Sequence, residues 1–383
     1  MNRAPYSTDF WYAMMTGQTD LEPEIIQALR TEVPEMCSVT FERSCNLQCV
    51  HCIYPPSASM DTCSRRILPA LVKRAVEQLP GKNPRLLHEG RILRSWHVSV
   101  MAEAKRARPG LKVGLIDNGS FVGRLDTFRE EGLKLDWLDI SVDGDEQTHN
   151  TQRASKAYIQ AIQGLKRARE ITVGRVTSLF TLTALNHDRL EAAADALFSN
   201  GLIDELHVST VTPAKPQLIP LEQMDLSYFW RQAQKVYERY SQPGKQRVFF
   251  RLYRHQEIAK LARVTSNHEM HKAMRNALLA PGEVHFNLRD VPFIYAPLSI
   301  WPGETFLIDA DGAYRTAHSI GEKISDLQRG QDDAGRDLRG YTIENLKPGF
   351  DLQKAYQRCV DQWWNFMGRQ FLKEEIAIFK QLK

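Results

Sequence analysis

Apolar residues follow a regular alternation of two patterns between residues 36 and 215. Each unit begins with a short apolar run of strand length and continues with a stretch that has the apolar spacing of an amphipathic helix. This alternation is typical of βα units that build a parallel sheet, and six such units fit in the segment. The predicted strands are MCSVTF, RLLHEG, KVGLIDNGS, LDWLDISVDG, RVTSLFTLTALNH and DELHVSTVTP. Ligands of such sheets bind at the carboxyl ends of the strands, where this sequence carries polar residues.

The pattern changes after residue 215. MDLSYFWRQAQKVYERY predicts an amphipathic helix whose aromatic residues pack on the protein body. IWPGETFLIDADGAYRTAHSIGE predicts a strand, a turn at Asp311–Gly312 and a second strand. The closing RCVDQWWNFMGRQFLKEEIAIFKQL predicts another amphipathic helix, with Trp363 and Trp364 in the core. We therefore divide the chain into an N-terminal extension (1–35), an α/β domain (36–215) and a small C-terminal α+β module (216–383).

Composition and charge limit the classes of partner that we expect for this protein. The chain has 383 residues, an ordinary hydrophobic content of 43% and a formal net charge of only +4. No run of Lys and Arg reaches the length of a nucleic-acid or membrane patch, so we expect neither partner. The first residues lack the segments of a signal peptide, and no window holds about 18 uncharged apolar residues. We expect a cytoplasmic protein.

Three of the six cysteines lie within one short stretch, SCNLQCVHC. Cys45, Cys49 and Cys52 have C-x3-C-x2-C spacing, whereas Cys37, Cys63 and Cys359 are scattered. In a reducing compartment such a cluster indicates a metal site more than a disulfide framework. Structural zinc normally takes four ligands, and no second ligand pair follows. Three thiolates suit a [4Fe–4S] cluster with one open iron, with zinc or chance spacing as the alternatives.

The segment TFERSCNLQCVHC resembles the signature of the radical S-adenosylmethionine (SAM) superfamily. The resemblance implies a partial (β/α)6 TIM barrel and a [4Fe–4S] cluster on Cys45, Cys49 and Cys52. It also implies that the open iron binds the amino and carboxylate groups of SAM, and that one electron from an external flavodoxin- or ferredoxin-like donor splits SAM. The resulting 5′-deoxyadenosyl radical takes a hydrogen atom from the substrate, while the protein supplies position and exclusion of water.

The same resemblance assigns residues at the strand ends to SAM. The predicted contacts are His51, Glu89, Asn118, Ser141, Asp143, Arg153 and Ser178. Glu89 would contact the SAM amino group, although LLHEGR lacks both glycines of the Gly-Gly-Glu motif. Arg153 would pair with the SAM carboxylate, which suits the guanidinium fork. His51 would lie beside the adenine or bond a cluster sulfur, and Ser178 and Thr181 would reach the ribose.

Simpler roles stay open for several of these residues. Glu89 could cap the next helix, because an acid at a strand end often does so. In DNGS, Asp117 replaces the threonine of the family's Thr-Asn-Gly, and Asn118-Gly119 is also a good turn. Arg153 could be a solvated helix arginine, and strand residues such as Ser178 could point to either side of the sheet.

The predicted C-terminal hairpin resembles the SPASM or twitch modules that hold auxiliary iron–sulfur clusters. The cysteines expected around it are missing, and Cys37, Cys63 and Cys359 cannot supply four ligands. We infer a module without an auxiliary cluster. Related dehydrogenating enzymes use such a cluster to accept the second electron, so a redox-neutral or reductive reaction is expected.

A narrower resemblance is to the aminoglycoside 3′-deoxygenating dehydratases that act on paromamine in antibiotic biosynthesis. It depends on FWYAMMTGQTDLEPEI, on HEGR and on the cluster-free module. It implies hydrogen abstraction from C4′, loss of the 3′-hydroxyl as water, and a separate nicotinamide-dependent reductase. The elimination needs an acid and a base, for which His88, Glu89 and Asp117 are the candidates. Carboxylates and aromatic faces would hold the cationic amino sugar.

Three alternatives to dehydration remain. A sugar epimerase would return a hydrogen atom from a cysteine, such as Cys359 or Cys63. A peptide-modifying enzyme usually has a recognition wing before the barrel, and 35 residues before the first predicted strand are few for one. A non-enzymatic iron–sulfur or zinc protein would not cleave SAM.

Overall fold

The structure is a computed structural model. It describes residues 33–42, 44–52, 64–89, 92–210, 224–242, 247–253, 257, 260–261, 284–288, 290–295, 305–310, 314–316 and 349–363. Several predicted features lie outside the described residues. They are most of the N-terminal extension including FWYAMMTGQTDLEPEI, the boundary at 215, Cys63, the Asp311–Gly312 turn and Trp364.

The described strands form one sheet of eleven strands in the order β11-β10-β1-β2-β3-β4-β5-β6-β7-β9-β8. The bounds are β1 Met36–Val39, β2 Arg85–His88, β3 Lys112–Asp117, β4 Leu135–Ser141, β5 Thr172–Leu182, β6 Glu205–Thr210, β7 Val248–Leu252, β8 Val284–Leu288, β9 Val291–Tyr295, β10 Thr305–Ile308 and β11 Tyr314–Thr316. Strands β1 to β6 pair in parallel with their neighbours in chain order. The sheet is open, so the fold is a partial TIM-type barrel.

Helices join these strands, as right-handed βα connections require. The described α-helices are α1 Ser64–Gln78, α2 Ser95–Ala107, α3 Leu125–Glu130, α4 Glu146–Gln152, α5 Ala157–Arg167, α6 Leu190–Ser199, α7 Leu226–Tyr240 and α8 Leu352–Trp363. The six strands predicted between residues 36 and 215 are all confirmed. Helix α4 was not predicted, because its sequence EQTHNTQ has no apolar stripe. Asp145 caps this helix by accepting a hydrogen bond of 2.9 Å from the backbone N–H of Thr148.

The two faces of the sheet have different surroundings, because successive side chains of a strand point to opposite sides. Ile140 of β4 faces the helices: a Cβ at Gly164 of α5 would lie 3.4 Å from its Cδ1. Gly114 and Trp137 pair across β3 and β4 on the other side, which we call the inner face. The indole of Trp137 covers Gly114, and a larger residue at 114 would overlap it. Helix-facing residues of these strands are mostly buried, whereas inner-face residues are mostly partly exposed.

The segment after residue 215 extends this sheet at both edges. Strand β7 pairs in parallel with β6, and β10 pairs in parallel with β1. The predicted hairpin is confirmed, since β10 and β11 pair antiparallel. The predicted helix 224–240 is confirmed as α7, where Tyr240 stacks on Phe198 with ring centroids 4.4 Å apart. The division at 215 stays a prediction, and the strands on its two sides are hydrogen-bonded to each other.

Within the described part of the chain, no helix has both the length and the apolar character needed to cross a membrane.

Candidate functional site

The loop after β1 carries the three clustered cysteines at the carboxyl edge of the sheet. Cys45, Cys49 and Cys52 are all partly exposed, and none of the three forms a disulfide. The backbone N–H of Leu47 donates to Cys45 Sγ at 3.4 Å, and the N–H of Cys52 donates to the Cys49 carbonyl at 3.1 Å. The loop is tied to α4, because the N–H of Val50 donates to the carbonyl of the last α4 residue at 2.9 Å. Backbone bonds therefore present three thiols from one short segment.

Arg153 places a positive charge beside this loop. Its Nε donates to the carboxylate of Asp143, and its Nη1 lies 4.0 Å from Cys49 Sγ. Burial raises the pKa of the Cys49 thiol to about 11, and the Arg153 charge works against that rise. Burial opposes ionisation of Asp143, but the charges of Arg153 and His51 together with the Arg153 hydrogen bond outweigh it and keep the pKa of its carboxyl below the ordinary value. Arg153 therefore offsets part of the cost that burial places on a negative charge at the Cys49 sulfur.

The donor set of the loop fits an iron–sulfur cluster. Among the described residues, no three His, Cys, Asp or Glu side chains converge on one point as ligands of a single metal ion do. The fit therefore depends on the chemistry of the loop: three cysteine side chains that form no disulfide, a backbone N–H on one sulfur and a guanidinium beside another. Hydrogen bonds to cluster sulfurs and nearby charge are the features by which proteins hold and tune such clusters.

Asp143 connects the cysteine loop to the ends of β4 and β5. Its Oδ1 accepts a hydrogen bond from the N–H of Thr181 at 2.8 Å, and its own N–H donates to His149 Nδ1 at 3.0 Å. The side chain of Asn186 donates to the Asp143 carbonyl at 3.0 Å. His51 Nε2 lies 4.0 Å from the Asp143 carboxylate. The predicted residues His51, Asp143 and Arg153 are therefore brought together.

A chain of three amides joins the loop to β3 and α5. Asn118 donates to Asn46 Oδ1 at 2.9 Å, Asn46 donates to Gln160 Oε1 at 3.0 Å, and Gln160 donates to Asn118 Oδ1 at 2.6 Å. Helix α5 reaches Asn118 because two glycines allow the backbones to approach. Gly119 has a φ of 95°, and a Cβ at Gly164 would lie 2.7 Å from its Cα.

A buried polar cluster holds the start of the cysteine loop from the helix side. Glu42 accepts hydrogen bonds from Ser44 Oγ at 2.8 Å and from Arg94 Nε at 2.5 Å. His97 Nε2 lies 3.6 Å from the same carboxylate, and His97 Nδ1 is 3.3 Å from His88 Nε2. Burial opposes ionisation of Glu42, but its partners His97, Arg94 and Ser44 lower its pKa to about 2. Glu42 is therefore a buried anion just ahead of the first cysteine.

Two of the three predicted acid–base residues face away from the inner face. His88 pairs with Val39 and Leu115 on the helix side and is 2% exposed. Asp117 pairs with Ile140 on that side, and its carboxylate accepts hydrogen bonds that cap the 3₁₀ turn Ser120–Arg124. Burial raises the pKa of Asp117 to about 6. Their positions do not support the predicted acid–base roles: His88 belongs to the Glu42 cluster, and Asp117 is a cap.

The remaining predicted residues divide by face. Glu89 is partly exposed, follows His88 by one position and therefore points to the inner side, and its N–H donates to the Val39 carbonyl at 3.1 Å. Ser141 pairs with Leu179 on the inner face. Ser178 pairs with Ile140 and Leu206 on the helix side, so the structure does not bring it together with Ser141. Positions 178 and 181 differ by an odd number and cannot share a face of one strand.

Several solved structures have a fold similar to this one. SuiB of Streptococcus suis bound to S-adenosylmethionine matches with a TM-score of 0.50 at 12% identity, over 83% of this chain and 67% of SuiB. SuiB bound to its precursor peptide SuiA matches with a TM-score of 0.50 at 13% identity, over 86% and 68% of the two chains. The enzyme anSMEcpe with bound AdoMet matches with a TM-score of 0.50 at 12% identity, over 87% of this chain and 88% of that one. These neighbours are radical SAM enzymes.

The chain has the fold of radical SAM enzymes. No protein-family model matches the sequence, and no curated protein matches it either. At this level of identity the comparison with radical SAM structures establishes the fold. The chemistry has to be argued from the site.

Sequence reasoning missed part of the candidate site. Glu42 and Asn46 lie within TFERSCNLQC. Their nearness to Cys45 in the sequence is the observation that could have identified them as site residues. His97 and Gln160 lie inside helices, where nothing in the local pattern distinguishes them from other polar helix residues. Their partners are far away in the sequence, and only the fold reveals those contacts.

Proposed function

We propose that this protein is a radical SAM enzyme. One observation carries the proposal: three cysteines that form no disulfide lie on one loop at the carboxyl edge of a radical SAM-type sheet, with the Arg153 guanidinium 4.0 Å from Cys49 Sγ. Ligands of parallel sheets bind at that edge. Cys45, Cys49 and Cys52 would hold a [4Fe–4S] cluster and leave one iron open.

The bound cofactors would supply the difficult chemistry: a [4Fe–4S] cluster and SAM together provide a 5′-deoxyadenosyl radical that abstracts a hydrogen atom. The protein would bind and orient SAM through Glu89 and Ser141 on the inner side and through Asn118 at the end of β3. Arg153 would pair with the SAM carboxylate and His51 would lie beside the adenine or bond a cluster sulfur, and both contact Asp143. A flavodoxin- or ferredoxin-like protein would deliver the electron.

The test is anaerobic reconstitution with iron and sulfide, followed by reduction in the presence of SAM. We expect about four irons per chain for one such cluster, together with 5′-deoxyadenosine and methionine. Cys49→Ala should lose the iron and the SAM cleavage. Cys359→Ala, a buried cysteine of α8, is the matched control and should keep both. A wild-type protein that holds one tetrahedral metal ion and leaves SAM intact would refute the proposal.

For the substrate, we propose an amino sugar that undergoes radical dehydration. Hydrogen abstraction from the carbinol carbon, loss of its hydroxyl proton to a base and departure of the neighbouring hydroxyl as water would leave a carbon radical next to the new carbonyl group. One electron from the flavodoxin- or ferredoxin-like donor and one proton would then convert that radical into the ketone. Of the three predicted acid–base residues, Glu89 is the one on the inner side, since His88 and Asp117 point to the helices, and in a dehydratase it would serve as the base instead of contacting the SAM amino group. A nicotinamide-dependent reductase would then act on the ketone. Mass spectrometry should show loss of one water from a two-ring amino sugar.

Epimerisation is a less favoured alternative. The cysteine that such a reaction needs must reach the substrate, whereas Cys359 is 4% exposed and lies in the apolar face of α8. Deuterium uptake from solvent without a change in composition would support epimerisation over dehydration. Cys359→Ala would stop that reaction and leave a dehydratase active.

Peptide modification is the second candidate, and one observation favours it. SuiB matches this chain over a similar length when it is bound to its precursor peptide. A peptide substrate should be found among small peptides encoded beside the gene. Its modification in the reconstituted assay, with no reaction of amino sugars, would select this candidate.

A further inference from the structure

The inner face of β4 to β7 is a polar wall that partly contacts solvent. In β6 the inner positions Glu205, His207 and Ser209 are all partly exposed, and the residues between them face the core. The strand register aligns these positions in rows across the sheet. The uppermost row contains Thr181, Ser209 and Arg251. This row is close to the cysteine loop, because the backbone N–H of Thr181 donates to the carboxylate of Asp143.

His207 lies in the next row down, between Leu179 and Phe249. Its ring and that of Phe249 have centroids 6.4 Å apart. Its Nε2 is buried and makes no hydrogen bond to any residue that the structure describes. Burial, together with the nearby charges of Arg251 and Arg175, lowers the pKa of His207 to about 3, so the ring is neutral near pH 7. A buried polar atom without a partner is costly unless a ligand completes it.

Two acidic residues lie one row deeper. Asp139 and Glu205 flank Thr177 in the register of β4, β5 and β6. Glu205 pairs with Arg175 at 3.4 Å. Burial raises the pKa of Asp139 to about 6, a shift that a bound cation would reverse. Trp137, two residues before Asp139, adds an aromatic surface to the same face.

We propose that this wall binds a small polyhydroxylated amine, with a hydroxyl group on His207 and an ammonium group on Asp139. The inference rests on the proposed function and adds the residues that would hold its amino-sugar substrate. Two strand spacings and two residues along the strand separate these positions, which gives about 12 Å between them. That distance suits a molecule of two rings. His207 is thus assigned as a residue that determines specificity.

The experiment measures binding by isothermal titration calorimetry to the cluster-reconstituted full chain. The probes are paromamine, which has two rings with hydroxyl and ammonium groups, and trehalose, which has two rings without amines. Wild-type protein should bind paromamine at least about tenfold more tightly than trehalose. His207→Phe should weaken paromamine binding about tenfold, whereas His207→Gln should keep most of it, because the amide can replace the imidazole hydrogen bond.

Asp139→Asn should reduce the preference for paromamine over trehalose. His285→Gln changes an exposed histidine of β8 and is the control that should bind like wild type. His207→Leu replaces the Phe variant if the latter fails to fold, as judged by circular dichroism and iron content. Equal paromamine affinity in wild type and the apolar His207 variant would overturn the proposal, as would equal affinity for both probes or no binding of paromamine. SAM cleavage without substrate, measured in the same preparations, reports separately on the proposed function.

Discussion

Arg153 lies between a buried carboxylate and a cysteine sulfur, with Nη1 4.0 Å from Cys49 Sγ. The guanidinium is 8% exposed and its Nε donates to Asp143. A planar fork can serve both partners at once, which an ammonium group could not do in the same geometry. Arg153 therefore links the buried carboxylate at the end of β4 to the electrostatic environment of the Cys49 sulfur.

Removing Arg153 should destabilise the protein strongly. Arg153→Gln leaves the Asp143 carboxylate buried without its cation, and we expect a loss of about 3–5 kcal/mol in the free energy of unfolding. The double variant Asp143→Asn/Arg153→Gln should lose less than the sum of the two single variants, by about 1–3 kcal/mol. Urea unfolding followed by circular dichroism measures the cycle. Additive losses would mean that the pair does not interact.

Glu42 should control how well the cysteine loop holds iron. Glu42→Gln keeps the size of the side chain but removes the charge that Arg94 and Ser44 contact. We therefore expect the free energy of unfolding to fall by about 1–3 kcal/mol. Iron content after reconstitution should fall with it. Glu103→Gln on α2 is the control, because this side chain is exposed on the same helix that carries Arg94 at its N-cap. Unchanged iron content in Glu42→Gln would rule out a role in positioning the loop.

Gly119 should tolerate a side chain worse than another glycine with positive φ. Gly119 has a φ of 95°, and a Cβ there would overlap the backbone carbonyl of Gln160. Gly132 has a φ of 64° and nothing within 4 Å of that position. Gly132→Ala should cost about 1 kcal/mol from the left-handed backbone, and Gly119→Ala should cost about 1–3 kcal/mol more from the overlap. Equal melting temperatures for the two variants would contradict the close contact of α5 with β3.

Asp117 should make stability depend on pH with a definite sign. Burial raises its pKa from the ordinary 3.8 to about 6, so the folded state binds the proton more tightly than the unfolded chain. The protonated form therefore stabilises the folded state below pH 3.8, and this stabilisation is lost as the pH rises through about 6. The free energy of unfolding of wild type relative to Asp117→Asn should fall by on the order of 2 kcal/mol between about pH 4 and pH 7. A difference that rises over this range would contradict the assignment.

The sequence predicted the repeating part of the fold well. Strands such as β4 and helices such as α7 have strong apolar periods, and periodicity reports which side of an element is buried. It does not report which neighbour covers that side. Ser178 illustrates the limit: its face follows from the register with Ile140, and that register is set by packing.

The sequence predicted those parts of the candidate site whose residues lie within one short segment, and it missed the parts that depend on contacts between distant segments. The three cysteines lie on one loop, so their grouping needed no knowledge of the fold. His88 and Asp117 end their strands in the way that functional residues do, but their side chains turn toward the helices. The contact of Glu42 with Arg94 joins two segments that no local pattern connects. A single sequence contains no record of such contacts.

Strand β1 has a neighbour on its outer side that is made late in synthesis, because Met36 pairs with Thr305. Until β10 emerges from the ribosome, the nascent chain presents the bare edge of β1, which is open to pairing with other chains. The cysteine loop begins directly beyond that edge. A chain that ends before β10 would keep this edge exposed, and we expect it to aggregate more readily than the full chain.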